Sequence, residues 1–185
     1  TIRDYIAAGD TYQINHTFPL AGTLRGEPFA AFLALYANQP SGEAGFLHLG
    51  DFAVLSLSPE LFFSLDGNRL ETRPMKGTMP RGRWVEEDAA RAESLRESDK
   101  ERAENVMIVD LLRNDMGRVS VGGSVRVERL FEAERYPTLW QMTSTVVSES
   151  RAPLGELFAA LFPSGSVTGA PKVRAMQIIR ELEDA

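Results

Sequence analysis

The sequence predicts a fold in which antiparallel strands and helices occupy separate stretches of the chain. Between residues 44 and 74 the hydrophobic pattern repeats every two residues, and Gly50–Asp51 and Asp66–Gly67 are typical of hairpin turns. After residue 84 two long stretches have helical character, and Ser98 with Glu101 forms a capping box where the second begins. These observations favour an antiparallel meander followed by helices.

The first third of the chain predicts a short helix, a strand, a second helix and the meander. Thr1–Ala8 reads as a helix that Gly9 ends, and Thr11–Phe18 alternates as a strand with Gln13 on its polar face. Pro28 opens a helix with an aromatic stripe that is typical of a packed face. The meander strands are predicted at Phe46–Leu49, Phe52–Leu57, Leu61–Leu65 and Arg69–Thr72.

The rest of the chain predicts four helices and three further strands. The helices are expected at Val85–Ser98, from Ser98 to about Asn114, at Leu154–Phe162, and from Pro171 onward. The strands are expected at Arg118–Val121, Val125–Phe131 and Met142–Ser148.

Composition excludes several classes of protein and chemistry. The 185 residues suit one domain or a large piece of one, and no apolar run approaches the length of a membrane span. The absence of cysteine excludes disulfides and thiolate catalysis, and fits a cytoplasmic chain. A net charge of −6 argues against a nucleic-acid binder, and two histidines make a His-rich metal site improbable. Carboxylates, lysine, hydroxyls and backbone amides are left to do the chemistry.

The segment Thr72–Gly82 (TRPMKGTMPRG) carries the first candidate group, Lys76. Its two prolines predict a rigid turn leaving a strand, and Gly77 and Thr78 offer close approach and a hydroxyl. A lysine among arginines loses its proton more readily, and a neutral lysine is a nucleophile. The alternative is a solvated basic loop that binds an anion.

Two other features predict a carboxylate site and an anion site. Helical spacing places Glu104 on the apolar face with Met107 and Leu111, where it needs a metal or a partner such as Lys100. The loop Pro163–Ala170 combines small residues and hydroxyls with open amides at a helix start, which favours anion binding.

These segments together resemble the chorismate-utilising enzymes. The motifs that carry the resemblance occur in family order: Gly9–Thr17 (GDTYQINHT), Ser58–Ser64 (SPELFFS), Thr72–Gly82, Asp99–Asp115 (DKERAENVMIVDLLRND) and Phe162–Glu183 (FPSGSVTGAPKVRAMQIIRELE). The resemblance implies an α+β fold in which two mostly antiparallel sheets pack face to face with helices outside. It also implies that residues 1–185 are a partial chorismate-binding catalytic domain, without the family's N-terminal region and C-terminal strands.

Within this family, Gln13 together with Lys76 is similar to the aminodeoxychorismate synthases, whose component I aminates chorismate to 4-amino-4-deoxychorismate. That activity is an amino-group transfer of the transaminase class, and it belongs to para-aminobenzoate and folate biosynthesis. The alternatives are anthranilate synthase component I and a non-catalytic chorismate-binding fragment. Trp140–Gln141 departs from the His–His pair of many members, so no role of that histidine carries over.

The resemblance implies a role for each candidate residue. Lys76 becomes the nucleophile at C2 of chorismate, Glu60 the general acid for the leaving hydroxyl, and Glu104 a ligand of Mg²⁺. The amides and hydroxyls at Gly77–Thr78 and Ser166–Gly169 are expected to bind carboxylates of the substrate. The full set of residues expected to bind substrate is Gln13, Gly77, Thr78, Ser166, Thr168, Gly169 and Lys172. Ammonia is expected from a separate glutamine amidotransferase subunit. A chain of these residues alone is expected to be inactive, with no nucleic-acid or membrane partner.

Overall fold

A computed structural model describes residues 1–183 of the chain. The helices are α1 (Ile2–Ala7), α2 (Pro28–Asn38), α3 (Val85–Glu97), α4 (Asp99–Gly117), α5 (Leu154–Leu161), α6 (Gly165–Thr168) and α7 (Lys172–Leu182). The strands are β1 (Gln13–Ile14), β2 (Gly45–His48), β3 (Ala53–Ser56), β4 (Leu61–Asp66), β5 (Arg69–Arg73), β6 (Met75–Pro80), β7 (Arg126–Arg135), β8 (Leu139–Glu149) and β9 (Gly169–Ala170).

The long strand β8 organises a five-stranded sheet. Strands β5 and β6 pair antiparallel with its two halves, β7 pairs antiparallel along its other edge, and β4 lies beside β5. Pro74 separates β5 from β6 because proline has no N–H for the ladder, yet its carbonyl still accepts from the Ser144 N–H at 3.2 Å. Two smaller antiparallel pairs, β1–β9 and β2–β3, lie outside this sheet.

The chain divides into two compact units. The larger unit combines Thr1–Thr17 with the residues from Phe62 to the end of the described chain, and the smaller is Phe18–Leu61. In the larger unit α4 and α5 cover the sheet, and the buried apolar cluster between them consists of Leu70, Val109, Met116, Val146, Leu157 and Leu161.

In the smaller unit the predicted aromatic stripe of α2 packs on β2. The ring centroids of Phe29 and Phe32 lie 5.1 and 5.8 Å from that of Phe46. Aromatic pairs at this distance stabilise the contact, although Phe29 remains 51% exposed.

The observed fold confirms the α+β class with mostly antiparallel sheets and corrects three local predictions. The strand expected at Thr11–Phe18 is only the two residues of β1, and Arg118–Val121 contributes a single bridge between Ser120 and Ser150. The segment expected as a turn after Thr72 instead continues the sheet as β6. Within residues 1–183, no helix combines the length and apolarity needed to cross a membrane.

The arginines around β6 each contact a carboxylate. Arg73 pairs with Glu134, Arg83 with Glu87, and Arg81 donates to both oxygens of Asp88 at 2.7 and 2.5 Å. These carboxylates offset the positive charge that the sequence led us to expect around Lys76.

Asp88 is the most heavily bonded of these carboxylates. It also accepts from the Gly82 N–H at 2.8 Å and from Trp140 Nε1 at 2.9 Å, which gives Trp140 a structural role. The bonds from Arg81, with those from Gly82 and Trp140, hold the pKa of Asp88 well below its usual range against the opposing effect of desolvation.

A carboxylate with a depressed pKa stabilises the fold above its unfolded pKa of about 3.9, and the effect is lost as pH falls toward the folded pKa. We therefore expect Asp88→Asn to lower the midpoint of thermal unfolding at pH 7, with a difference from wild type that shrinks below about pH 4. Circular dichroism melts across this range measure the effect. Glu93→Gln, in an exposed pair with Arg96, is the control and should change little at either pH. A pH-independent effect of Asp88→Asn would contradict this account.

Candidate functional site

Lys76 lies at a β-bulge in β6. Met75 is opposite Thr143 of β8, but Thr78 is opposite Gln141, so three steps along β6 match only two along β8. A bulge of this kind re-aims the side chain at the extra residue and often lies beside an active site. The irregularity therefore directs attention to Lys76 and Gly77.

Gly77 makes the bulge compatible with the helix that covers it. Its φ of +95° lies in the region that favours glycine. A Cβ added there would lie 3.0 Å from both Cβ and Oε2 of Glu101 on α4, and 3.3 Å from the Cβ of Met142. The glycine thus lets the first turn of α4 approach the strand closely.

The amine of Lys76 reaches across to the α6 segment. Its Nζ donates to the backbone carbonyl of Ser166 at 2.9 Å, and the side-chain amide of Asn15 donates to the same oxygen at 2.9 Å. Gln13 Nε2 in turn donates to Asn15 Oδ1 at 3.3 Å. Strand β1 is brought here by pairing with β9, where Ile14 is opposite Gly169.

The pairing of β1 with β9 depends on the absence of a side chain at Gly169. Its φ of +152° suits glycine, and an added Cβ would lie 2.1 Å from the carbonyl oxygen of Gln13. Five predicted site residues that are far apart in the sequence therefore meet in the larger unit: Gln13, Lys76, Ser166, Thr168 and Gly169.

The hydroxyls around this cluster already have protein partners. The Oγ atoms of Ser164 and Ser166 are 3.0 Å apart, and Thr168 Oγ1 donates to the Ser164 carbonyl at 3.0 Å. Thr78 Oγ1 donates to Gln141 Oε1 at 3.0 Å. Three of the residues that we expect to bind substrate carry a hydroxyl: Ser166 and Thr168 are buried, and Thr78 is exposed.

Lys172 is held by the protein itself. Its Nζ lies 2.7 Å from Asp115 Oδ2 and donates to the carbonyls of Ala160, Leu161 and Pro163 at 3.1 to 3.3 Å. The ammonium therefore joins the ends of α4 and α5 to the loop before α6. Its binding of substrate stays a prediction.

Burial raises the pKa of Asp115, and the neighbouring Lys172 opposes this effect. The pair is well enclosed, with the side chains of Lys172 and Asp115 11% and 4% exposed. Such a pair is costly to break, because one charge would then stay buried without its partner.

Glu104 lies at the edge of the buried face of α4, which corrects the expectation that apolar side chains surround it. Asn105, Ile108 and Leu112 are buried on this helix, whereas the Glu104 side chain is 41% exposed. Lys100 Nζ is 3.8 Å from Glu104 Oε1 and 3.3 Å from Glu101 Oε1. Within residues 1–183, no group of three or more acidic or histidine side chains is arranged to hold a metal.

Glu60 belongs to the smaller unit. Its backbone N–H donates to Ser58 Oγ at 3.2 Å, and the same hydroxyl donates back to the Glu60 carbonyl at 3.2 Å. These local bonds shape the turn between β3 and β4, and its role as an acid stays a prediction.

Three residues in or beside this cluster were not predicted as site residues from the sequence. Asn15 shares the polar face of the predicted strand with Gln13, which was the available signal. The sequence pattern at Glu101 predicts only helix capping, and the contact of Gln141 with Thr78 depends on the register of β6 on β8.

Comparison with known proteins identifies the family. The family described as chorismate binding enzyme matches residues 1–185. The chain belongs to this family. It is 46% identical over 184 residues to aminodeoxychorismate synthase component 1 of Escherichia coli (strain K12), and 46% identical over 183 residues to anthranilate synthase component 1 of Thermus thermophilus.

A solved relative of this chorismate-binding family shares the fold as well. The crystal structure of anthranilate synthase component I from Streptococcus pneumoniae TIGR4 matches with a TM-score of 0.87 and 35% identity, over 98% of this chain and 40% of that one. The matches to the E. coli and T. thermophilus proteins cover 98% and 97% of this chain but only 41% and 39% of those proteins. The chain thus spans about two fifths of the length of its relatives.

Proposed function

We propose that this chain carries the nucleophile of aminodeoxychorismate synthase component I, which forms 4-amino-4-deoxychorismate from chorismate and ammonia. The bulge that places Lys76 beside the Ser166 carbonyl is the observation that carries the proposal. Sequence identity alone does not decide between the two synthases, since representatives of both are 46% identical to this chain. A lysine at this position is the feature that favours amination with a covalent step.

The proposed reaction uses the lysine amine twice. The neutral amine of Lys76 attacks C2 of chorismate, the ring double bonds shift, and the C4 hydroxyl leaves as water with a proton from Glu60. Ammonia then attacks C4, and the reverse shift of electrons expels the Lys76 amine from C2. The name "component 1" of the relatives fits a second subunit, for which we propose a glutamine amidotransferase that supplies the ammonia.

Backbone amides and side chains near Lys76 would hold the substrate in place for both steps. Thr78 and Gln141 lie one residue beyond the bulge, and Thr78 is an exposed residue. We propose that these groups bind a carboxylate of chorismate, because charge-assisted bonds to carboxylates are short and directional.

We propose Glu104 as a ligand of magnesium. A half-exposed carboxylate whose nearest described cation is 3.8 Å away fits an ion that usually takes one or two carboxylates and completes its set with water and substrate. When bound, magnesium supplies positive charge that holds the ring carboxylate and draws electrons from the ring.

We expect Glu104→Gln to weaken metal binding by at least about tenfold, since a neutral amide is a poorer ligand for a hard cation. Electron paramagnetic resonance of Mn²⁺, titrated into the full-length protein with chorismate, measures this directly. Asp110→Asn, an exposed carboxylate on the same helix paired with Arg113, is the matched control. If Glu104→Gln unfolds the protein while Mn²⁺ binding to the folded fraction is unchanged, pairing with Lys100 is its role instead.

The product distinguishes the two synthases. We expect the full-length protein, given chorismate, ammonium salt and Mg²⁺, to form a product that added aminodeoxychorismate lyase converts to para-aminobenzoate. Liquid chromatography with fluorescence detection separates para-aminobenzoate from anthranilate. Formation of anthranilate without the lyase would reassign the chain to the anthranilate synthases.

A further inference from the structure

The backbone carbonyl of Ser166 receives two donors from distant parts of the chain. Lys76 Nζ and Asn15 Nδ2 both lie 2.9 Å from this oxygen. A peptide carbonyl has two lone pairs, so these two bonds use its full accepting capacity. Ser166 is 5% exposed, which leaves little room for water to replace either donor. The carbonyl is therefore a fixed anchor for the lysine amine.

Asn15 is itself fixed on three sides. Its backbone N–H donates to the Thr168 carbonyl at 2.8 Å, and its Oδ1 accepts from Gln13 Nε2 at 3.3 Å. The orientation of its amide follows from these partners, because a flipped amide would set its oxygen against the Ser166 carbonyl. Asn15 thus fastens β1 to two carbonyls of α6, including the one that binds Lys76.

We propose that Asn15 is a positioning residue for Lys76, because it holds the Ser166 carbonyl where that carbonyl fixes the lysine amine. A lysine side chain has four flexible torsions, and a nucleophile reacts efficiently only when its attacking atom is held close to the reacting carbon. The catalytic consequence rests on the proposed function of Lys76. The effect on the mobility of its amine does not.

The experiment compares Asn15→Leu with wild type, both as full-length protein, in two measurements. The leucine side chain matches that of asparagine in size but has no N–H, so the Ser166 carbonyl loses one of its two donors. We expect kcat for the formation of aminodeoxychorismate to fall about fivefold, because the loss of one ordinary hydrogen bond has an effect of this size. KM should be nearly unchanged. We also expect acetic anhydride to label Lys76 about fivefold faster, because its amine is less tightly held.

The other two lysines within residues 1–185 serve as references for the labelling rate of Lys76. Lys100 is 76% exposed and measures reagent activity, and Lys172 is 11% exposed and measures opening of the neighbouring loop. Peptide mass spectrometry reads the three sites separately. Thr17→Val is the control. Thr17 follows Asn15 closely in the chain, and its hydroxyl contacts Glu183, so its loss should change neither kcat nor Lys76 labelling.

Asn15→Asp covers the case in which the leucine variant does not fold. Aspartate keeps the shape of the asparagine side chain and replaces its N–H donor by a carboxylate oxygen. Asn15 Nδ2 and Lys76 Nζ each lie 2.9 Å from the same Ser166 oxygen, so the new carboxylate lies close to the lysine amine. The carboxylate favours the ammonium form, so Lys76 should label more slowly and kcat should fall. Faster labelling of Lys76 in Asn15→Leu and slower labelling in Asn15→Asp, each with a lower kcat, would support positioning.

Two results would overturn the proposal: Lys76 labelling that is unchanged in both variants, or labelling of Lys76 and Lys172 that rises together. The second would mean that Asn15 only stabilises the loop. If the wild type has no aminodeoxychorismate activity but Lys76 labelling changes as expected, the proposed function fails while the hold of Asn15 on the amine stands.

Discussion

Lys76→Ala should abolish covalent capture of chorismate by the full-length protein. Incubation of the wild type with chorismate and Mg²⁺ in the absence of ammonia should give an added mass on Lys76, because the C2 adduct then has no nucleophile to release it. Intact-mass analysis followed by peptide mapping locates the adduct. The turnover of Lys76→Ala should be at least about a thousandfold lower than that of the wild type, as is usual when a covalent nucleophile is removed.

Lys76→Arg separates nucleophilicity from charge. The guanidinium keeps a cation that can donate to the Ser166 carbonyl, but it does not lose its proton in proteins. We expect it to form no adduct and to be as inactive as Lys76→Ala, although the fold is retained. An adduct that persists in Lys76→Ala would remove Lys76 from the mechanism, and activity in Lys76→Arg would reduce its role to charge.

Local patterns in the sequence predicted most of the helices and the meander. The two-residue period and the turns at Gly50–Asp51 and Asp66–Gly67 are local signals, and β2 to β5 begin and end within a few residues of their predicted bounds. Helix α4 was predicted for the same reason, since Ser98 Oγ accepts from the Glu101 N–H at 3.4 Å as a capping residue should.

Features that depend on pairing between distant segments could not be predicted. The bulge at Lys76–Gly77 exists only relative to β8, and the sequence around Lys76 contains prolines and a glycine that indicate a turn equally well. The polar face of β1 was visible, but its partner β9 lies more than 150 residues away. Helical spacing predicts which residues of α4 share a face, but tertiary packing decides which of them are most buried. Asn105 is buried on this helix, whereas Glu104 lies at the edge of the buried face.

The functional roles of the site residues came from the resemblance to chorismate-utilising enzymes, because neither residue spacing nor side-chain packing indicates them. The resemblance indicated that Gln13, Lys76 and the Ser166–Gly169 segment act together, and the structure brings these residues into one cluster. Lys172 belongs to the same motif but faces Asp115 and three carbonyls. Proximity within a motif thus did not predict that its ammonium is engaged within the protein.

Replacement of Lys172 should have the largest effect on stability. Lys172→Met keeps the length of the side chain but leaves Asp115 buried without its cation and removes the donor to the carbonyls of Ala160 and Leu161. We expect the free energy of unfolding to fall by about 3–5 kcal/mol, the usual result when one partner of a buried pair is removed. Urea denaturation of the full-length protein at pH 7 measures this difference.

Acid should relieve much of this loss. Without Lys172, the main opposition to burial is lost and only Arg118 and Asn114 still lower the pKa of Asp115, so its folded pKa lies further above the unfolded value of about 3.9. A carboxyl with a raised folded pKa takes up a proton on folding, so the variant loses stability as pH rises through this interval. The deficit relative to wild type should therefore be largest at pH 7 and shrink as pH approaches 4.

Two further variants test whether the buried charge is the cause. Lys100→Met removes an exposed lysine and should change the free energy of unfolding by no more than about 0.5 kcal/mol. Adding Asp115→Leu to Lys172→Met removes the stranded carboxylate, and the double variant should regain much of the lost stability, since buried pairs tolerate replacement by apolar side chains. A deficit for Lys172→Met that matches Lys100→Met, or that stays constant between pH 7 and 4, would show that the enclosed pair does not hold the ends of α4 and α5 together.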